Sequence, residues 1–431
     1  MQAWKGDATP LATGTGFATH EHPNCTSARA GASIVSLVEG PGRAAIYDIR
    51  DFAAFGRSLY RHMPLPPGAS ILFESTVAEP EPLLARLIRD AFTGEVTDRF
   101  ESVFGRGNPH LLAALASRYG VDEQCILPTT GVCNGVAQVL AGLVAPGDHV
   151  LIETPGFDVL SDLARLSGAE VELLSRRGES FAFDLDELSA KLRPNTRLVI
   201  VTNLHNPSGH HLGEKALGDL AAAAAAVGAH LLVDEVYADF AMESGDLPAV
   251  RLAPNVISVN SLTKVFGLFS LRCGWIVTTR ATARRIANAS AGREFGVSKL
   301  THAIGALVLE NPQPFEAHWR QILDASRPVV ERHMAAMRAD ELIAGALPPF
   351  GCIAFPQVIG HADTRRLAET LWRDYEIVTA PGEFFGQSGH MRLGFGVPAA
   401  LIDRGLARFH EALFALRRTS SRSVSQTASV Q

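Results

Sequence analysis

The chain has 431 residues, of which 47% are hydrophobic and 19% charged, with a formal net charge of -6. That length exceeds what one hydrophobic core usually holds, so a large domain with a smaller companion is predicted, and the composition excludes disorder over most of the chain. The acidic balance gives no electrostatic reason to bind nucleic acid or an anionic membrane.

Residues 1 to about 30 are rich in Gly, Thr, Ala and Pro without periodicity, and read as an arm or oligomer-clasping extension. The opening segment lacks an apolar core of signal-peptide length, and no later run approaches the ~20 apolar residues of a membrane span. The five cysteines, Cys25, Cys125, Cys133, Cys273 and Cys352, contain no CxxC pair or zinc-type spacing, so a reducing, cytoplasmic setting is expected and no metal site is proposed.

Further along, apolar runs of strand length alternate with helical patterns. The strands are HVLIET (149–154), RLVIVTN (197–203), HLLVDE (230–235), VISVNS (256–261) and RCGWIVT (272–278), with helices at 134–145 and 214–228. Most of these strands are apolar throughout, as strands buried on both faces must be, so the fold class is α/β: a large domain with a mostly parallel sheet covered by helices. The alanine run at 221–226 reads as a helix packed closely on that sheet. After about residue 305 the pattern shifts to longer amphipathic helices such as PVVERHMAAMRADELI, with short strands GCIAFPQV and HMRLGF, which predicts a smaller α+β domain. The expected division is 1–70 arm and extension, partly contributing to the small domain, 71–305 large domain, 306–418 small domain and 419–431 a Ser/Thr/Gln-rich disordered tail.

In open α/β sheets, functional groups gather where strands end. Thr202 and Asn203, Asp234 and Glu235, and Asn260 and Ser261 close apolar strands here with polar side chains. Lysines are scarce, only Lys5, Lys191, Lys215, Lys264 and Lys299, and Lys264 lies just past a buried strand in NSLTKVFGLFSLRCGWIV. Desolvation and nearby positive charge there would favour a reactive neutral amine. Ser261 and Arg272 flank it and can converge on one phosphate, while the turn Thr130-Gly131-Val132-Cys133-Asn134 before a helix offers backbone N–H groups to the same anion. Asp234 can face a pyridine nitrogen and keep it protonated, Tyr237 and Asn206 can bond a ring oxygen, and Phe157 can stack on the ring. Arg392 can take a substrate carboxylate as a bidentate pair. Together these are the requirements of pyridoxal phosphate. Taken singly each has a plainer reading: a loop lysine, a strand-end aspartate capping a helix, a core phenylalanine, an Asn-Pro-Ser-Gly turn.

From about residue 70 to 415 the chain resembles the fold type I pyridoxal-phosphate enzymes, class I/II aminotransferase family. The resemblance rests on Asn203-x-x-Asn206-Pro-Ser-Gly, Asp234-Glu-Val-Tyr237, Ser261-Leu-Thr-Lys264 with Arg272 and Gly274-Trp275, and Pro381-Gly-Glu-Phe-Phe385-Gly386 leading to Arg392. It implies that Lys264 holds the cofactor as a Schiff base and moves the proton at the substrate's alpha carbon. It further implies a homodimer with shared active sites and a ping-pong exchange of an amino group between an L-amino acid and a 2-oxo acid.

Three departures mark this chain. RFESVFGRGNP lacks the tyrosine that relatives reach to the partner's phosphate, with Arg106 as a substitute. FESTVAEPEP (73–82) stands where the family has a glycine-containing substrate loop, and the extension before it carries no motif. Arg293 is a candidate for a side-chain carboxylate, against a solvated surface arginine. The same residue set also suits a lyase or cyclase acting on an amino acid, since the cofactor supplies the electron sink and the protein selects the bond. A non-catalytic ligand-binding module of this fold is the third reading, disfavoured by the complete catalytic set and the absence of a basic recognition helix.

Overall fold

Eight strands form the central sheet. After the short β1 (Ser70–Ile71) they are, in chain order, β2 (Ile126–Thr129), β3 (His149–Thr154), β4 (Glu170–Arg177), β5 (Ala182–Phe183), β6 (Thr196–Thr202), β7 (His230–Asp234), β8 (Val256–Ser261) and β9 (Gly274–Val277). This is a computed structural model, and it describes residues 51–61, 65–93, 107–290 and 298–428. Residues 1–50, Arg106 and Arg293, with what the sequence suggested for them, lie outside the described residues.

In space the strands run β2-β9-β8-β7-β6-β3-β4-β5. The middle five, β8 to β4, pair in parallel, and β9 then runs antiparallel to both β8 and β2. β3, β6, β7 and β8 are buried along nearly their whole length, which explains their unbroken Val, Leu and Ile runs. Helices Val132–Leu143 and Glu214–Ala226 belong to two separate apolar clusters that include the strands' alternate side chains. Within the alanine run, Ala221 and Ala224 are fully buried, so small side chains serve close packing as expected.

Local differences from the sequence reading have physical causes. The first of those helices starts at Val132 rather than 134, because Gly131 at φ 96° provides the entry turn. β9 starts at Gly274 rather than 272, since Arg272 sits in the left-handed region at φ 52° and breaks the extended run. The helix recognised from Pro328 begins fifteen residues earlier, in Gln313–Ala339, and carries Pro328 in its interior. The last helix, Ala399–Ala428, carries helical backbone past Thr419, into the segment whose composition suggested a disordered tail.

Residues 52–61 and 65–78 belong structurally with the C-terminal part. β1 pairs in parallel with Ile377–Val378, and Phe55, Leu59 and Phe73 share an apolar cluster with Val378, Phe384 and Phe385. All described residues fall in one compact unit, Ala45–Gln431. Among the described residues no helix is long and apolar enough to cross a membrane, and no group of three or more His, Cys, Asp or Glu is placed to hold a metal ion.

Candidate active site

Lys264 stands in the turn after β8. Its Nζ donates to Ser75 Oγ at 3.1 Å, and burial, followed by the Arg392 charge, lowers its pKa, with Glu74 opposing. The backbone of this turn is gripped by the segment preceding it in space: Val77 N–H donates to the Lys264 carbonyl at 3.1 Å and Thr76 Oγ1 to the Thr263 carbonyl at 2.8 Å. Gly267, at φ 68°, permits that approach, because a Cβ there would come within 2.9 Å of the Val77 and Ala78 carbonyls.

Asp234 closes β7, 5% exposed, and accepts from Val236 N–H at 3.1 Å. Burial raises its carboxyl to about 7, and the Lys264 charge works against that rise. Tyr237 is buried, and burial raises its pKa, with the Arg392 charge and a side-chain hydrogen bond to Ser75 opposing the rise. Burial also raises the Cys133 thiol, an effect strengthened by Asp234 and opposed by Arg272 and Lys264, so the turn 130–134 and these three groups share one electrostatic neighbourhood.

At that turn, Gly131 exposes a bare Cα towards Arg272: a Cβ there would meet Arg272 Nη2 at 2.8 Å. Ser261 Oγ is buried and accepts from Thr263 N–H at 3.3 Å. Arg272 therefore meets the 130–134 turn, while Ser261 is the β8 partner of Gly274 at the start of β9. Phe157 caps the N-terminus of helix Asp158–Leu166 and lies edge-on to Phe52, with ring centroids 5.2 Å apart.

Arg392 is fully buried on the strand Met391–Gly394. Its Nη1 donates to Asn206 Oδ1 at 2.9 Å and its Nη2 to the Phe73 carbonyl at 3.1 Å, while Nε has no partner. The rings of Phe385, Phe52 and Phe73 surround the guanidinium at 5.0, 5.2 and 5.7 Å. Such a cage holds the cation without neutralising it, and leaves its charge available to an anion.

Beneath Asn206 lies a buried polar chain that carried no motif. Arg176 Nη1 donates to Glu153 Oε2 at 2.8 Å, Glu153 Oε1 accepts from Thr202 N at 2.8 Å and Thr202 Oγ1 at 2.5 Å, and Thr202 Oγ1 accepts from Asn206 N at 2.9 Å. Strand ends of β3, β4 and β6 therefore set the position of Asn206 and, through it, Arg392. Ser75, Phe52 and Phe73 were likewise unassigned as ligands. Phe73 and Ser75 left a trace, by their place in the segment 73–82 that stands where the family has its substrate loop.

These residues fit pyridoxal phosphate on grounds internal to the structure: an amine with one weak partner, a buried phenol beside the same Ser75, a buried carboxyl, a caged arginine whose Nε has no partner among the described residues, and a glycine cradle beside an exposed guanidinium. The fold is that of the fold type I pyridoxal-phosphate enzymes. The chain belongs to the aminotransferase class I and II family, whose model matches residues 78–409. It is similar to capreomycidine synthase of Streptomyces vinaceus, 33% identical, with 71% of this chain and 79% of that protein covered. It is also similar to an aspartate aminotransferase of Streptomyces avermitilis, 24% identical over 71% of this chain and 80% of that one. Among solved structures, a PLP-dependent aminotransferase from Streptococcus suis superposes with a TM-score of 0.73 at 24% identity, covering 81% of this chain and 94% of that one.

Proposed function

We propose that this aminotransferase moves an amino group from an L-amino acid to a 2-oxo acid through Lys264, with the roles that follow. The carrying observation is the convergence of a half-buried, pKa-lowered amine with a buried carboxyl and a caged arginine that holds an uncommitted Nε. Lys264 would hold the cofactor, Asp234 would face its pyridine nitrogen, and Tyr237 with Asn206 would face its ring oxygen. Phe157 would cover the ring, and Gly131, Val132, Cys133, Ser261 and Arg272 would surround the phosphate. When bound, the cofactor supplies an electron sink for the carbanion formed at the substrate's alpha carbon.

Arg392 would bind the substrate carboxylate and so fix which alpha bond stands perpendicular to the ring. Lys264 would take the alpha proton on Nζ and deliver it two atoms along, to the carbon beyond the transferred nitrogen. Ser75, on the same Nζ, would orient that amine. We also propose the division into a large domain over 71–305 and a small one over 306–418, and a homodimer in solution. Light scattering of the purified protein is expected to give twice the 46.1 kDa chain mass, and a monomer would contradict the shared-site arrangement.

The test is a screen of amino donors and 2-oxo acceptors on the purified enzyme, with Lys264→Ala as control. Transamination requires that an amino acid alone shift the cofactor spectrum and that a 2-oxo acid reverse the shift. A second reading, a lyase or cyclase acting on an amino acid, draws on the 33% identical relative that is named a synthase. Turnover with no acceptor present would establish that reading in place of the first.

A further inference from the structure

Residues 72–79 run as a strap past the functional groups of the site. The Phe73 carbonyl and ring meet the Arg392 guanidinium, Ser75 Oγ accepts from Lys264 Nζ, and Thr76 and Val77 bond the backbone of the Lys264 turn. Two glycines let the strap lie flush: a Cβ on Gly394 would overlap the Glu74 carbonyl, and one on Gly396 the Thr76 carbonyl. Close packing of this kind fixes the depth of the strap, and hydrogen bonds at its ends fix its register.

At the start, Leu72 N–H donates to the Val378 carbonyl at 2.8 Å, and the Leu72 carbonyl accepts from Gly394 N–H at 2.8 Å. At the finish, Ala78 N–H donates to the Gly396 carbonyl at 2.7 Å, and the Ala78 carbonyl accepts from His318 Nε2 at 2.8 Å. A carbonyl only accepts, so this bond puts a proton on Nε2. A further tie, Ser270 Oγ to Glu79 Oε1 at 2.8 Å, is exposed, where water competes for both partners. His318 belongs to helix Gln313–Ala339, and its neighbours Phe315 and Trp319 are buried. Their rings pack on Phe266 and Phe240, with centroids 6.5 and 5.4 Å apart, so the core holds this turn of the helix against the strap.

We infer that His318 is a positioning residue for the reaction: through the Ala78 carbonyl it sets the register of the strap, and so the approach of Ser75 to Lys264 and of Phe73 to Arg392. The inference rests on the roles proposed above for Lys264 and Arg392, and adds a residue that acts on both at one remove.

His318→Phe keeps a ring and removes the donor, whereas His318→Gln returns an N–H near the position of Nε2. Hydrogen–deuterium exchange of the cofactor-loaded enzyme is expected to be faster across 72–79 in His318→Phe and close to the unaltered rate in His318→Gln. His318→Phe should also lower kcat/KM about three- to ten-fold, the effect of one lost hydrogen bond, and His318→Gln should restore it. Ser75→Ala should lower kcat, and adding His318→Phe should lower kcat no further, since both act on the same amine, while KM still rises through the Phe73–Arg392 contact. Unchanged exchange across 72–79, unchanged kcat/KM, no rescue by His318→Gln, or a full second loss of kcat in the double variant would overturn the inference. Should His318→Phe fail to fold, His318→Asn, whose amide falls short of the carbonyl, is held to the same expectations. Failure of the roles proposed for the site shows separately, as an unaltered enzyme that turns over no amino acid, and exchange across 72–79 then still decides for or against His318.

Discussion

Lys264, Asp234, Tyr237, Asn206 and Arg392 were legible in the sequence because each sits at the end of an apolar strand or inside a short motif, where a polar side chain has few plain reasons to be. Phe52 and Phe73 were not. Their work is to pack around a cation, and an aromatic ring in a helix or strand reads the same whether its neighbour is a leucine or Arg392. Asp234 yields a titration prediction. Its carboxyl is held near 7 by burial, against an ordinary 3.8, so between those values the cofactor-free folded protein binds more protons than the unfolded chain. Stability of the cofactor-free enzyme should therefore fall as pH rises from about 4 to 7, and Asp234→Asn should reduce that fall. Glu235, shifted the same way, keeps part of the slope in the variant. Thermal melts of both proteins across this range check the point, and parallel curves would show that Asp234 is not the buried acid described.

At the scale of elements, the strand positions were readable from unbroken apolar runs, whereas the turns depended on single residues. Neither the left-handed Arg272 nor the passage of a helix through Pro328 follows from local propensity. The polar chain from Arg176 through Glu153 and Thr202 to Asn206 joins three strand ends that lie far apart in sequence, so no spacing could announce it. Thr202 is its hinge, donating to Glu153 and accepting from Asn206 through one oxygen. Thr202→Val keeps the shape but strands both partners, which should cost about 1–3 kcal/mol of stability and raise KM for the amino acid through a loosened Asn206–Arg392 pair. Thr202→Ser keeps the hydroxyl and should restore KM to near the unaltered value. A Val variant with unchanged melting temperature and KM would show that the chain does not position Asn206.

For the whole molecule, alternating strands and helices gave the α/β class and the mostly parallel sheet, and the four motifs in order gave the family. What could not be read was how the segment before residue 80 enters the site. β1 pairs with Ile377–Val378 and the following residues run past the Lys264 turn, so a region without motif supplies Ser75 to the reactive amine. The proposed transamination requires that amine to hold the cofactor. Borohydride reduction of the cofactor-loaded protein, followed by proteolysis and mass spectrometry, is the most direct check. The expected result is a single peptide carrying the reduced cofactor on Lys264; attachment to Lys191, Lys215 or Lys299, or no attached cofactor at all, would contradict the account.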